Sequence, residues 1–129
     1  MNRTVIRDPD RLHPLLRRKT DAVIADVTGH LPKGRRLAYY ETWRDPKVQA
    51  QLVREGVSKT LHSKHARTPA QAADLQFQRW SLLKGWRFID WRDVPPQWLA
   101  WLDSAKRAHN VLRPGLEWDH PHCEAAGDK

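Results

Sequence analysis

Apolar residues near the start of the chain recur at the spacing of a helix. Asp8 or Asp10 can begin such a helix, and Pro14 then falls near its first turn, where a missing amide hydrogen does little harm. Gly29 marks its end. We therefore predict a helix over about residues 8–30. Its apolar stripe comprises Leu12, Leu16, Val23, Ile24 and Val27.

Three later segments have the composition or the alternation of strands. Residues 36–43 and residues 86–91 are rich in aromatic and other strand-forming side chains. Residues 73–78 alternate strictly, with one face apolar and the other polar, as in a strand that covers the core on one side. The apolar positions are Ala73, Leu75 and Phe77, and the polar ones are Asp74, Gln76 and Gln78.

Two further helices are indicated by their start signals. Asp45-Pro46 joins a capping carboxylate to a proline at the first helical position, and Gly56 supplies a stop. Pro95-Pro96 introduces another helix, whose apolar stripe comprises Trp98, Leu99, Trp101, Leu102, Ala105 and Ala108. Helices and strands are mixed without a regular βαβ order. We therefore predict a small α+β fold, with a short antiparallel sheet packed by helices in one domain over residues 1–129.

The charge of the chain predicts an anionic partner. Lys and Arg number 23 against 15 Asp and Glu, which gives a net charge of +8 and a pI of about 10.2. A nucleic acid, an acidic membrane face and an acidic cell-wall polymer all fit this excess. With seven Trp in the chain, a basic nucleic-acid-binding protein without catalysis stays open as an alternative.

Other features of the composition bear on where the protein acts. Cys123 is the single cysteine, so no disulfide forms within the chain and packing or a metal must stabilise it. The N-terminal residues lack the apolar core of a secretory signal, and no segment is apolar enough to insert into a membrane. We expect synthesis in the cytoplasm, and any action outside requires another means of release.

Histidine and carboxylate side chains form two clusters along the sequence. His65 on a loop, Asp74 on a predicted strand and His122 near the end of the chain could together hold a catalytic zinc ion. Asp119 could take a proton from the attacking water, provided that Pro121 bends the segment and brings it inward. Spacing alone does not establish this site, because such pairs also occur by chance.

The motifs around these residues resemble the zinc D-Ala-D-Ala carboxypeptidase and L-alanyl-D-glutamate endopeptidase family, the VanY-like group that includes small phage endolysins. Its pattern reads approximately SxHxxGxAxD and then DxPHFE. Ser63-Lys64-His65 and Ala72-Ala73-Asp74-Leu75 match the first part, and residues 119–124 match the second. The segment from Tyr39 to Arg44 is similar to a further element of the family. The resemblance runs from about residue 36 to residue 124.

The resemblance implies a fold, an activity and roles for individual residues. The fold would be Hedgehog/DD-peptidase-like, with the catalytic core over about residues 36–124. His65, Asp74 and His122 would bind zinc, Asp119 would be the general base, and Arg44 would hold a substrate carboxylate or carbonyl oxygen. Ser63 would support the loop of His65 and contact substrate.

The implied activity is hydrolysis of a peptidoglycan stem peptide, most often between L-Ala and D-Glu, by a monomer that acts on the cell wall or in the periplasm and binds no nucleic acid. A D,D-carboxypeptidase, a two-His-one-carboxylate iron oxygenase and a non-catalytic wall-binding relative are alternatives.

The sequence departs from the family pattern in three places. His65 and Asp74 are nine positions apart, two more than in the pattern, and the internal glycine is absent. Cys123 replaces the usual aromatic residue. The segment before Asp119 is short, which leaves Glu117 as an alternative base and His120 as an alternative ligand.

Overall fold

The computed structural model describes residues 4–58, 60, 63–112 and 119–124. Three helices, α1 to α3, span Pro14–His30, Pro46–Arg54 and Pro96–Ala108. Four strands, β1 to β4, span Arg35–Glu41, Ala72–Ser81, Gly85–Phe88 and His122–Glu124. Short 3-10 turns occupy Pro9–Arg11, Lys64–Ala66 and Trp91–Asp93. The α+β class with an antiparallel sheet is confirmed, and the assignment of residues 1–129 to one domain stays a prediction.

Strand β2 is the central strand of the sheet. Strand β1 runs antiparallel along one of its edges, from Arg35 opposite Arg79 to Glu41 opposite Asp74, with an irregularity in register after Tyr39. The other edge of β2 is shared, because β3 pairs with residues 78–81 and β4 pairs with residues 72–74. The start of β2 therefore lies between two partner strands.

The two faces of the sheet differ in chemistry, as the alternation in β2 predicts. Leu75 and Phe77 are fully buried on the core side, where α1 and α3 pack, and Asp74 lies on the opposite side. The apolar stripe of α1 and the middle of α3 complete the core. Its fully buried members include Leu16, Val23, Val27, Leu37, Leu102 and Val111.

Helix α1 begins later than its start signals predict. Asp8 caps the separate turn Pro9–Arg11, and α1 is capped by His13, whose Nδ1 accepts a hydrogen bond from the Leu15 amide at 3.2 Å. Pro14 thus occupies the first position of the helix, where proline is favoured.

No helix in the described parts of the chain combines the length and the apolar character needed to cross a bilayer.

The other predicted elements differ from the structure mainly at their ends. Strand β3 ends at Phe88, because Asp90 caps the turn Trp91–Asp93 instead of continuing the strand. On α3 the predicted apolar stripe is wrong at Ala108, which is exposed. Lys106 is buried instead, and its Nζ donates to the carbonyl oxygens of Asp119 at 3.5 Å and His120 at 3.1 Å.

Replacing Leu37 by Ala should lower the free energy of unfolding by about 2–5 kcal/mol, because it opens a cavity in the core of the sheet. Leu83→Ala is the matched control, since Leu83 is 92% exposed and its truncation leaves no cavity. Urea unfolding followed by circular dichroism measures both. Equal losses in the two variants would contradict the placement of the core.

Candidate metal centre

Strand pairing brings Asp74 and His122 together. The two residues are direct partners between β2 and β4, so their side chains emerge on the same face of the sheet. His122 Nδ1 lies 3.6 Å from Asp74 Oδ1. The sheet therefore unites two of the residues that the sequence motifs single out.

The third member, His65, reaches the same carboxylate from the turn Lys64–Ala66. Ser63 caps this turn by accepting a hydrogen bond from the His65 amide at 3.2 Å, which is the support that we expected from its side chain. His65 Nε2 lies 3.4 Å from Asp74 Oδ1. The imidazole centroids of His65 and His122 are 5.4 Å apart.

The spacing of these groups suits a tetrahedral metal ion. One ligand atom from each of His65, Asp74 and His122 lies within 4.8 Å of the other two. Separations of 3.4 and 3.6 Å exceed the range of about 2.7–3.2 Å for a good N–H···O bond. Ligands bound at about 2.0–2.2 Å to a tetrahedral zinc ion lie roughly 3.3–3.6 Å from one another. The two separations that involve Asp74 therefore fit the ligands of a tetrahedral metal ion better than they fit direct hydrogen bonds.

The electrostatics of the cluster favour a positive charge. Burial raises the pKa of Asp74, but His122 and His65 outweigh burial and hold that pKa well below its ordinary range. Burial lowers the pKa of His122, yet Asp74 and Glu124 outweigh it and raise the pKa to about 9. The Asp74 carboxylate therefore stays negatively charged between two imidazoles, and its charge would stabilise a bound divalent cation.

Glu124 orients the His122 ring by contacting the nitrogen that does not face Asp74, a role that our sequence analysis missed. Its Oε1 lies 2.9 Å from His122 Nε2, and its Oε2 pairs with the ammonium of Lys64. Burial raises the pKa of Glu124, but His122 and Lys64 bring it down to about 2. A carboxylate that holds the second nitrogen of a histidine fixes which nitrogen faces a metal. The signal was available, because residues two apart on a strand share a face.

His65 differs from His122 in this respect. Its Nδ1 is buried and has no hydrogen-bond partner among the described residues. The ring therefore lacks the contact that usually orients a metal-binding histidine. Its position depends on the turn that Ser63 caps and on the carbonyl oxygen of His65, which accepts from the Arg44 amide at 2.9 Å.

The longer loop between His65 and Asp74 is tied to the N-terminal segment. Ala70 is fully buried, its amide donates to the Arg11 carbonyl, and its carbonyl accepts from the His13 amide, each at 2.8 Å. Trp43 Nε1 donates to Thr68 Oγ1 at 3.2 Å, within the added stretch. These bonds hold the loop in place despite its departure from the family spacing.

Asp119 lies at the start of a turn instead of in a straight strand. Its carbonyl accepts a hydrogen bond from the His122 amide at 3.1 Å, so the chain bends at residues 120–121 before β4 begins. The ammonium of Lys106 holds the backbone of this turn from the core side. The turn bends the chain as expected from Pro121, and the approach of the Asp119 side chain to the cluster stays a prediction.

Arg44 is engaged by neighbouring side chains. Its Nη2 lies 2.5 Å from Glu41 Oε1, and its Nη1 donates to Gln49 Oε1 at 2.8 Å. Gln49 in turn donates to the Thr60 carbonyl at 2.5 Å. Glu41 is opposite Asp74 in the sheet, so this polar network adjoins the metal candidates.

The sequence left Glu117 open as an alternative base and His120 as an alternative metal ligand, and the structure describes only His120. Glu117 lies outside the described residues. His120 is exposed, and its ring packs against Trp91 at a centroid distance of 5.9 Å. It does not belong to the group of described residues whose ligand atoms converge.

A cleft of about 540 Å³ opens beside Asp74. It lies along the edge of β2 between the residues paired with β3 and those paired with β4. Its lining combines aromatic side chains with polar and acidic ones, a combination that suits a peptide with charged groups. The lining residues are Tyr40, Asp74, Gln76, Phe88, Ile89, Asp90, Trp91 and Pro121.

The fold resembles that of a known peptidase. The crystal structure of the L-Ala D-Glu endopeptidase ChiX from Serratia marcescens matches with a TM-score of 0.57 and 21% sequence identity. The match covers 90% of this chain and 81% of that chain. No protein-family model matches the sequence, and no curated protein matches it either. The similarity shows a shared fold, in agreement with the fold class that we predicted.

Replacing Glu124 by Gln should weaken zinc binding by about 10- to 100-fold, because the amide no longer fixes the His122 ring through a charged oxygen. Titration of the metal-free protein with zinc in the presence of a competing chelator measures the affinity. Glu55→Gln, the same change at an exposed site, is the control. Unchanged affinity in Glu124→Gln would contradict the orienting role.

Proposed function

We propose that the protein is a zinc-dependent peptidoglycan peptidase that hydrolyses a stem-peptide bond, with the bond between L-Ala and D-Glu as the first candidate. The observation that carries the proposal is the convergence of His65, Asp74 and His122 at the edge of a cleft. The structural similarity to the endopeptidase ChiX supports the same chemistry.

The chain's own residues suit the metal and the reaction. His65, Asp74 and His122 provide two imidazoles and a carboxylate, and a tetrahedral ion bound to three protein ligands keeps a fourth position for water, the usual composition of a catalytic zinc site. When bound, zinc would polarise the scissile carbonyl and lower the pKa of water. Glu124 keeps His122 in the orientation that binding requires.

Asp119 is the proposed general base. It accepts a proton from the attacking water while the water oxygen bonds to the carbonyl carbon, and it returns that proton to the amine as the carbon–nitrogen bond breaks. The His122 amide donates a backbone hydrogen bond to the Asp119 carbonyl across the turn. This bond supports the role, because it keeps the proposed base and the proposed ligand in one short segment. Lys106 positions the segment through the carbonyl oxygens of Asp119 and His120.

Two arginines are candidates for binding the substrate's carboxylate. The earlier candidate, Arg44, is largely buried and bonded to Glu41 and Gln49, so it contacts substrate only through its remaining donors. Arg7 is exposed, with its guanidinium carbon 5.1 Å from the ring centroids of both Tyr40 and Phe88. Because those rings line the cleft, Arg7 holds a positive charge at its rim.

The site of action follows from the proposed substrate. The protein would reach peptidoglycan after release from the cytoplasm, as a monomer, and its positive charge would favour approach to anionic wall polymers. Ser63 contributes by holding the His65 loop, and contact between Ser63 and substrate stays a prediction.

Mass spectrometry of muropeptides after digestion of purified peptidoglycan tests this function. We expect fragments cut between L-Ala and D-Glu, and no cleavage when a chelator removes the metal. Release of D-Ala would instead identify a D,D-carboxypeptidase. Intact peptidoglycan together with metal-independent, salt-sensitive binding of DNA would favour the nucleic-acid-binding alternative.

The variants Asp119→Ala and His65→Ala should separate the base from the ligands. Asp119→Ala should retain one zinc ion per chain and lose hydrolysis by about 100-fold or more, because the proton acceptor is gone. His65→Ala should lose both zinc and hydrolysis. Zinc content by atomic absorption and muropeptide turnover are the two measurements. Full turnover in Asp119→Ala would reject it as the base.

Arg7→Ala should raise the KM for a muropeptide by about 10- to 150-fold with little change in kcat, because it removes a charge-assisted bond of about 1.5–3 kcal/mol from substrate binding. Arg18→Ala is the control, because Arg18 is exposed on α1, across the sheet from the cleft. Steady-state kinetics gives both parameters. Identical KM values for wild type and Arg7→Ala would remove Arg7 from the substrate site.

A further inference from the structure

The hairpin between β2 and β3 exposes two large apolar side chains at its tip. Leu82 and Leu83 are 91% and 92% exposed, and Trp80 beside them is 51% exposed. Gly85, with φ of +68°, allows the chain to turn back into β3. Full exposure of adjacent leucines is unfavourable in water and indicates a surface that contacts an apolar phase or a partner.

A row of arginines crosses the three strands at the base of this hairpin. Arg35 is the partner of Arg79, and Arg79 is the partner of Arg87, so three guanidinium groups emerge side by side on one face. Like charges at directly opposed positions destabilise a sheet. No carboxylate of the described residues forms an ion pair with any of the three. The row would therefore be stabilised by an anion from outside the described chain.

The cationic groups enclose a cleft of about 680 Å³ that adjoins the tip. Lys84 at the tip adds a fourth positive charge to its lining. On the opposite face of the hairpin, Trp80 and Trp86 pack edge to face at 5.7 Å. The hairpin thus combines three features within a few residues: an apolar tip, a pair of tryptophans and a group of cations.

We propose that this hairpin docks on a membrane surface that contains anionic phospholipid. The arginine row would bind the headgroup phosphates, and Leu82 and Leu83 would enter the boundary between headgroups and acyl chains. Tryptophan is enriched at that same depth. A nucleic acid or a polyanionic wall polymer would satisfy the arginines but would leave the leucines in water, so lipid fits the whole hairpin better.

Docking in this way leaves the candidate metal centre free. Asp74 and Ser81 are seven positions apart on β2, which corresponds to about 23 Å along an extended strand. The attachment is to a surface and does not require a spanning helix. It is also independent of the proposed peptidase activity.

Cosedimentation with large unilamellar vesicles tests the proposal. The full chain should bind vesicles of phosphatidylglycerol and phosphatidylcholine mixed one to three, and bind pure phosphatidylcholine much more weakly. The double variant Leu82→Ser/Leu83→Ser should lose binding by at least about tenfold, because each leucine adds apolar area to the contact. Val57→Ser, at an apolar site elsewhere that is 71% exposed, is the control and should bind as the wild type does.

The variant Arg79→Ser/Arg87→Ser should weaken binding by about fivefold for each arginine and reduce its dependence on salt. Urea unfolding of all variants checks that they are folded. No binding of wild type to anionic vesicles would overturn the proposal. Binding that is insensitive to Leu82→Ser/Leu83→Ser would also overturn it and would point to a polyanion instead. Muropeptide hydrolysis is measured separately, so failure of one proposal leaves the other intact.

Discussion

The close approach of one carboxylate to two imidazoles is the interaction on which the candidate site depends. Asp74 lies on a strand that is hydrogen-bonded along both edges at this point, to β1 and to β4. The apolar residues on the other face of β2 anchor the strand in the core. The position of the carboxylate is therefore set by the sheet and not by a mobile loop, which gives the pre-organisation that metal binding requires.

Buried charges lie on the segments next to the ligands, and each has a hydrogen-bond or ion-pair partner. Glu124 is buried between His122 and Lys64, and Arg44 is held by Glu41. Lys106 reaches from α3 to the turn before β4. A buried charge costs free energy unless it is paired, so these groups contribute less to stability than to the fixed arrangement of the ligands.

Local sequence signals predicted much of the fold and identified His65, Asp74 and His122 as candidate metal ligands. Asp45-Pro46 starts α2 as its capping chemistry requires, and the alternation in residues 73–78 correctly assigned the two faces of β2. The start of α1 was placed too early because Asp8 caps a separate 3-10 turn, whereas α1 itself is capped by His13. The preferred N-cap residues do not include histidine, so the sequence signal pointed to the aspartates instead.

The missed residues depend on contacts between distant parts of the chain. Lys106 looks like a solvated lysine at the end of a helix, and its burial follows from carbonyl groups that lie 13 and 14 positions away. Arg7 is brought to Tyr40 and Phe88 only when the N-terminal segment crosses the sheet edge. Glu124 was the exception, because the period of two along β4 already places it beside His122.

The proposed site binds one zinc ion jointly through side chains from β2, β4 and the turn before β2. X-ray absorption at the zinc edge, on the full chain loaded with one equivalent of zinc, tests it most directly. We expect two imidazole ligands with the remaining scatterers all oxygen, at about 2.0–2.2 Å. A sulfur scatterer from Cys123, or a shell of oxygens without imidazole, would show that these three residues do not bind the zinc ion together.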